Sequence, residues 1–292
     1  MHTDEVDVND HVVRELVRVQ FPEWADLPVR RLDSGGSTNA IFRVGTTLSA
    51  RLPLTAGGVE GLHRETRWLP VLASASPVPV PDVVAIGRPG GDYPFDWAVH
   101  RWIDGEVLVE GRVPAPDGIA RDLAAFIAAL HEVDVTGAPQ AHRSGTLADR
   151  DAQTRSAVEE LARTDEPFDP DEAIAVWESV TAVPAPGAPA RWIHSDLMPS
   201  NLLTRDGQLT AVIDFSTAGL GDRAVDLIPA WNLLPPAARS TFRAAVGVDD
   251  DTWERGRGWA LSMALIQLPY YRGTNPVISS NARHVIEQVL DG

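Results

Sequence analysis

The chain has 292 residues, 44% of them hydrophobic, and a formal net charge of −16 at pH 7, a length that predicts two packed lobes. It contains no cysteine, which excludes disulfides, thiolate metal sites and a cysteine nucleophile. The negative charge disfavours nucleic acid and anionic membranes as partners, and the sequence has no run of about 18 apolar residues to span a bilayer.

The N-terminus is acidic and has no apolar segment behind it, so we expect no export signal and a cytoplasmic location.

The first hundred residues predict a helix and then a sheet interrupted by a second helix. Residues 9–21 carry valine and leucine at helical spacing behind Asn9. Short β-like runs predict antiparallel strands at 29–32, 40–44, 48–52, 83–86 and 97–103. A helix with Leu62 and Leu69 on one side, then the proline-spaced segment 77–81, lies between the third and fourth strands.

After Glu106 the β character fades and the sequence becomes mainly helical. Helices are predicted near 119–131, 148–161, 170–180, 224–233, 236–246, 251–271 and 277–290. A strand at Trp192 and a hairpin of 201–204 with 209–214 interrupt them, and Asp206-Gly207 suits the tight turn. We therefore predict an α+β fold, with an antiparallel sheet lobe over residues 1–104 and a mainly helical lobe over residues 105–292.

Three oxygen-bearing side chains have the pattern of a phosphoryl-transfer centre. Asp196 and Asn201 are five residues apart across a proline-containing loop, and Asp214 ends the next hairpin. Their oxygens suit Mg²⁺, which prefers carboxylates, phosphate oxygens and water. In such a centre one Asp accepts the proton of the attacking hydroxyl, while the Asn and the second Asp hold the metal against a triphosphate. The structural alternative is that all three side chains make local turn hydrogen bonds.

The spacing from His194 through Asp196 to Asn201 matches the His-x-Asp-x-x-x-x-Asn catalytic loop of the protein-kinase-like fold. The chain resembles the aminoglycoside phosphotransferase family over nearly its whole length. Matching segments lie at 192–197, 211–215, 221–227 and 268–272. The resemblance implies that Asp196 is the catalytic base, and that Asn201 and Asp214 bind Mg²⁺. His194 is left outside the catalytic set, because a histidine beside such a loop more often fixes the backbone than transfers protons.

Two further acids follow from the same resemblance. Asp222 and Asp226 are implied to be structural, bracing the floor of the active site. In Asp214-Phe215-Ser216, serine replaces the usual kinase glycine, a change that kinases without an activation-loop switch tolerate.

The resemblance also assigns nucleotide contacts in the first lobe. Ser37, Thr38 and Asn39 follow a glycine pair between strands and are expected to contact phosphates, although such a pair is otherwise a turn. Arg51 stands where kinases usually present a lysine, and all 25 basic residues of this chain are arginine. Glu65 on the following helix is its predicted partner, unless both are solvated surface charges.

The strand at 97–103 resembles the hinge between kinase lobes. Main-chain groups of Arg101 and Ile103 are therefore expected to hydrogen-bond the nucleobase. ATP is the expected donor because of its abundance, and GTP stays possible. The first lobe is thus assigned to the nucleotide, and the second to catalysis and the acceptor.

The sequence leaves the acceptor open. The resemblance implies a small-molecule hydroxyl, first of all on an antibiotic such as an aminoglycoside, macrolide or nucleoside, which phosphorylation would inactivate. The acids Asp249 to Asp251 and Glu254 could contact a polycationic aminoglycoside, or could form an N-cap cluster at a helix start.

Other functions stay open beside an antibiotic kinase. They are a kinase for a metabolite hydroxyl, such as that of choline or homoserine, and a nucleotide-binding regulator without turnover. A metal-dependent hydrolase is the least favoured, because the usual histidine and carboxylate spacing is missing. We expect no nucleic-acid or membrane partner, and a monomer or homodimer.

Overall fold

The computed structural model describes residues 5–32 and 38–291, and two compact units make up the chain. The first unit contains residues 1–74, 79–104 and 213–216, and the second contains residues 75–78, 105–212 and 217–292. No helix in the described part of the chain is both long enough and apolar enough to cross a membrane.

The first unit is built on a five-stranded antiparallel sheet with the order β1-β2-β3-β5-β4. Its strands are β1 (Val29–Leu32), β2 (Asn39–Val44), β3 (Leu48–Pro53), β4 (Val83–Gly87) and β5 (Trp97–Arg101). Side chains alternate between the two faces of a strand. Phe42, Ala50 and Val99 are therefore buried on the face that packs in one core with α1 (Asp10–Gln20). The register pairs Arg51 with Ala98, which places these two residues on the other face.

Two helices complete the first unit, and both agree with the sequence prediction. Asn9 caps α1, because its side chain accepts hydrogen bonds from the backbone N–H groups of His11 and Val12. The second helix, α2 (Ala56–Ala75), buries Leu62, Glu65, Leu69 and Leu72. This spacing of three and four residues gives α2 one buried side, on which Glu65 is the charged member.

The second unit is mainly helical. Its helices are α3 (Pro116–His131), α4 (Asp151–Leu161), α5 (Pro170–Thr181), α6 (Pro229–Asn232), α7 (Pro236–Val246), α8 (Asp250–Tyr271) and α9 (Pro276–Leu290). Most side chains of α8 are buried, because α4, α5 and α9 pack around it. The predicted α+β class, with an antiparallel sheet followed by a mainly helical part, is confirmed.

Short strands in the second unit flank the predicted catalytic loop. They are β6 (Glu106–Val107), β7 (Arg191–Ile193), β8 (Leu202–Arg205), β9 (Gln208–Val212) and β10 (Gly219–Gly221). One antiparallel sheet has the order β6-β8-β9, and β7 pairs with β10. The turn between β8 and β9 is confirmed: Asp206 and Gly207 both have positive φ, as a two-residue hairpin of this kind requires.

The structure corrects three points of the sequence prediction. The helix expected over 224–233 is a 3-10 helix, Arg223–Leu227, followed by the short α6, because Pro229 has no N–H to continue the first turn. The strands β6 and β10 were not predicted. Both have two or three residues, too few to show alternation, and β10 has glycine at both ends.

Candidate active site

The predicted catalytic base lies in the loop between β7 and a 3-10 helix, Pro199–Asn201. Asp196 and Asn201 are in contact. The Asn201 side-chain amide donates to the Asp196 backbone carbonyl at 2.9 Å and to Asp196 Oδ2 at 3.1 Å. Asn201 is buried, whereas the Asp196 side chain keeps 24% of its surface exposed. The loop therefore presents a carboxylate that a small molecule can reach.

The buried side chain of Asp226 binds the backbone of this loop. It is fully buried and accepts hydrogen bonds from the backbone N–H groups of His194, at 2.7 Å, and Ser195, at 2.8 Å. Burial raises the pKa of Asp226 to about 7, against the opposing effect of these two donors. Ser195 has φ 70°, a left-handed conformation that is rare for serine. A buried carboxylate thus fixes a strained backbone one residue before Asp196.

Asp222 has a different structural task. It forms a buried ion pair with Arg255, with Oδ2 at 2.7 Å from Nε, and caps the 3-10 helix through Ala224 N–H. Of the two acids expected under the active site, Asp226 binds the catalytic loop, whereas Asp222 joins the following turn to α8.

Arg143 reaches the same loop from the segment between α3 and α4. Its Nη1 lies 3.3 Å from Asp196 Oδ1 and also donates to the Ser195 carbonyl. The sequence did not indicate this contact, because 53 positions separate Arg143 from Asp196 and no motif includes the arginine.

A chain of amides supports the loop from α6 and α9. The Asn232 side-chain N–H₂ donates to the Leu197 carbonyl at 3.1 Å, and that of Asn281 donates to the Asn232 carbonyl at 2.7 Å and Glu110 at 3.4 Å. Both asparagines are buried, and neither Oδ1 atom has a hydrogen-bond partner among the described residues. No motif in the sequence indicated these hydrogen bonds between asparagine side chains.

In the first unit, Arg51 joins two of the predicted site residues. Its guanidinium lies 2.7 Å from Glu65 and 2.6 Å from Asp214 Oδ1, and its side chain is 11% exposed. Burial lowers the pKa of Arg51, but the two carboxylates outweigh it, so the pKa is raised and Arg51 is charged. With its amide oxygen turned toward Arg51, Asn39 accepts from Nε at 3.2 Å and from Nη2 at 3.1 Å. These contacts exclude the alternative of two solvated surface charges.

Ser216 directs the same carboxylate. Its hydroxyl donates to Asp214 Oδ1 at 2.6 Å, and Asp214 itself has φ 65°. A Cβ placed at Gly61 on α2 would lie 2.9 Å from the Ser216 Cβ, closer than side-chain atoms pack. Gly61 therefore makes room for the serine that replaces the usual kinase glycine.

We expect Gly61→Ala to destabilise the protein by about 1 to 3 kcal/mol, the usual cost of overpacking, against the helical preference for alanine. In a Ser216→Gly background the clash is removed, and the same change should be neutral or stabilising. Urea unfolding of the four proteins in this double-mutant cycle measures the coupling. Equal effects of Gly61→Ala in both backgrounds would show that there is no steric clash between residues 61 and 216.

The remaining residues predicted to contact the nucleotide have different local hydrogen bonds and burial. Ser37 lies outside the described residues. The Thr38 carbonyl accepts from Leu54 N–H at 2.9 Å. The Arg101 N–H donates to the Asp82 carbonyl at 2.8 Å, so a nucleobase contact at Arg101 would use its carbonyl. Ile103 is half-buried just after β5.

His100 is a further polar group on the Arg51 face of the sheet, which the sequence prediction missed. The register pairs it with Ser49, two positions from the pair of Arg51 with Ala98. It is 6% exposed, and its Nε2 has no hydrogen-bond partner in the described part of the chain. Burial, reinforced by Arg51, lowers the pKa of His100 to about 3, so this imidazole is neutral.

The acidic cluster at the start of α8 is tied into the protein. Asp249 is the N-cap and accepts from Thr252 N–H at 2.7 Å, while Asp250 lies 2.5 Å from Arg243. Glu254 lies 3.7 Å from Arg257. Of the two interpretations of these acids, the structure supports the helix-capping one at Asp249.

Comparison with known proteins gives consistent results. An aminoglycoside 3'-phosphotransferase from Escherichia coli is 29% identical over 191 residues, 63% of this chain and 68% of that protein. The GDP and kanamycin complex of APH(2'')-IIIa has a TM-score of 0.76 at 23% identity, covering 96% of this chain and 98% of that one. Macrolide 2'-phosphotransferase MphH from Brachybacterium faecium has a TM-score of 0.63 at 22% identity, covering 95% and 97%.

These structures share the protein-kinase-like fold with this chain. The family model of the phosphotransferase enzyme family matches residues 29–259, well over half of the sequence. The segments 192–197, 211–215 and 221–227 that carry the catalytic-loop pattern all lie inside that match. The chain therefore belongs to the phosphotransferase enzyme family and is an enzyme that transfers phosphate to a hydroxyl group of a small molecule.

Proposed function

We propose that this enzyme transfers the γ-phosphate of ATP to a hydroxyl of a small-molecule antibiotic and so inactivates it. The contact between Asp196 and Asn201 carries the proposal. It fixes a partly exposed carboxylate beside the Asn201 amide, whose N–H₂ already donates to Asp196, so that the amide oxygen is left for another ligand. Such a pair suits a base and a neighbouring metal ligand.

Asp196 is proposed as the general base. Its carboxylate accepts the proton of the acceptor hydroxyl as the hydroxyl oxygen forms a bond to the γ-phosphorus. The bond between the γ-phosphorus and the oxygen bridging it to the β-phosphate breaks, and ADP leaves with that oxygen. The proton ends on Asp196, and the phosphate is transferred as an ester.

Asn201 and Asp214 are proposed to hold Mg²⁺, which would offset the negative charge of the triphosphate. Both offer oxygen, the donor type that Mg²⁺ prefers. Asn201 has its N–H₂ turned to Asp196, and Asp214 is held at Oδ1 by Arg51 and Ser216. The described residues contain no group of three or more His, Asp or Glu side chains that could hold a metal by themselves. Phosphate oxygens and water would therefore complete the coordination shell.

Nucleotide binding is proposed for residues 1–104, and catalysis with acceptor binding for residues 105–292. Ser37, Thr38 and Asn39 would contact phosphates, together with Arg51 oriented by Glu65. The Arg101 carbonyl and the Ile103 main chain would contact the nucleobase. GTP is the alternative donor, since solved relatives were captured with GDP as well as ADP.

The antibiotic acceptor is supported by similarity to proteins named as aminoglycoside and macrolide phosphotransferases. A kinase for a metabolite hydroxyl, such as that of choline or homoserine, has the same chemistry and is the main competitor. We further propose that the enzyme acts in the cytoplasm, as a monomer or homodimer.

A coupled assay of diphosphate release tests the proposal, with ATP or GTP and Mg²⁺ against aminoglycosides, macrolides, nucleoside antibiotics and simple amino-alcohols. Mass spectrometry and NMR of the product identify the phosphorylated hydroxyl. We expect an antibiotic to be the best acceptor. Faster transfer to choline or homoserine would show that the acceptor is a metabolite and not an antibiotic. Nucleotide binding without transfer to any acceptor would favour a regulator.

A further inference from the structure

Arg143 contacts the catalytic loop through both its side chain and its backbone. Nη1 lies 3.3 Å from Asp196 Oδ1 and donates to the Ser195 carbonyl. The Arg143 backbone N–H donates to Ser195 Oγ at 3.2 Å. One residue thus binds the strained position 195 and the carboxylate next to it.

The backbone that carries Arg143 is itself fixed to β10. Leu220 exchanges hydrogen bonds with this segment: its carbonyl accepts from Ala141 N–H at 3.0 Å, and its N–H donates to the Pro139 carbonyl at 2.8 Å. The packing leaves no space for a side chain at Gly219, where a Cβ would lie 2.5 Å from the Ala141 nitrogen. Arg143 therefore extends from a rigid support rather than from a free loop.

The two oxygens of Asp196 have different partners. Oδ1 faces the Arg143 guanidinium at 3.3 Å, and Oδ2 accepts from the Asn201 amide at 3.1 Å. Contacts on both oxygens oppose rotation of the carboxylate. The Arg143 side chain is 15% exposed, so its ion pair with Asp196 is less screened by solvent than a surface pair.

We propose that Arg143 is a positioning residue, which holds the Asp196 carboxylate in the orientation that receives the acceptor proton. The inference rests on the proposed role of Asp196 as the base. A guanidinium can bind the Ser195 carbonyl and the Asp196 carboxylate at once, whereas a lysine ammonium lacks this planar fork. Without Arg143, the carboxylate keeps, among the described residues, the Asn201 amide as its side-chain contact, and a small misplacement of a reacting group lowers the rate.

The test compares Arg143→Ala and Arg143→Lys with the wild type. We expect turnover of Arg143→Ala to fall about tenfold, with the acceptor KM changed less than about twofold. Millimolar methylguanidine, which can occupy the vacated space, should restore part of the rate, whereas a loss of folding would not be rescued. Arg143→Lys should keep the fold, judged by its melting temperature, and lie between the other two proteins in turnover.

Arg155→Ala is the matched control, because Arg155 is also a paired arginine of the second unit, bound to Asp151 at 2.9 Å and to Glu178 at 3.2 Å. Its turnover should not change, with or without methylguanidine. Wild-type turnover of Arg143→Ala, or a loss that methylguanidine does not restore, would overturn the inference. Asp196→Ala separates this inference from the proposed function. If Asp196→Ala keeps full turnover, Asp196 is not the base. If its turnover falls, the results for the Arg143 variants test the role of Arg143 alone.

Discussion

Replacement of Asp196 by alanine is expected to lower turnover by about 10² to 10⁴, the usual contribution of a general base, and to leave nucleotide affinity nearly unchanged. The carboxylate is 24% exposed and its protein contacts are with Arg143 and Asn201. Removing it deletes the proposed proton acceptor, while Asn201 and the backbone of the loop keep their other hydrogen bonds. The loss should therefore appear in the chemical step.

Steady-state turnover and calorimetric nucleotide binding with Mg²⁺ separate the two effects. Asp196→Asn keeps the shape of the side chain but not its basicity, and should be as inactive as Asp196→Ala. Asp214→Ala is the counterpart: it should weaken Mg²⁺ and nucleotide binding together, because it removes a proposed metal ligand and the partner of Arg51. If both alanine variants turn over at the wild-type rate, the assignment of the catalytic set is wrong.

Regular elements could be predicted because their patterns are local. The start of α1 follows from Asn9 and the valine spacing behind it, and the turn after Arg205 follows from Asp-Gly. β6 has no comparable signal, because it is exposed and has two residues. Its pairing with β8 joins positions about 98 residues apart, which no local rule reports.

Residues of the candidate site could be proposed from the sequence where they lie in one motif. Asp196, Asn201 and Asp214 occur at characteristic spacing, and Arg51 with Glu65 follow from order along the chain. The residues that pack against these side chains could not be predicted in this way, because they are selected by how they fit in three dimensions. Gly61 matters because a Cβ added there would lie 2.9 Å from the Ser216 Cβ, and spacing along the chain contains no information about that distance.

Replacement of Asp226 by alanine is the second large effect that we expect. The variant leaves the N–H groups of His194 and Ser195 buried without an acceptor, and each such group costs about 1 to 3 kcal/mol. Unfolding free energy should fall by about 3 kcal/mol or more. Turnover of the folded protein should fall about a hundredfold, because the strained residue 195 loses its anchor and Asp196 moves with it.

Asp222→Ala is the control that separates stability from positioning. It leaves the buried Arg255 without its carboxylate partner, at a cost of about 3 to 5 kcal/mol. The side-chain hydrogen bonds described for Asp222 are with Ala224 and Arg255, away from the predicted catalytic loop. Its folded fraction should therefore turn over within about threefold of the wild type. Urea unfolding and turnover corrected for the folded fraction measure both variants. A similar loss of turnover in the two proteins would mean that general destabilisation, not the anchoring of residue 195, explains the effect of Asp226.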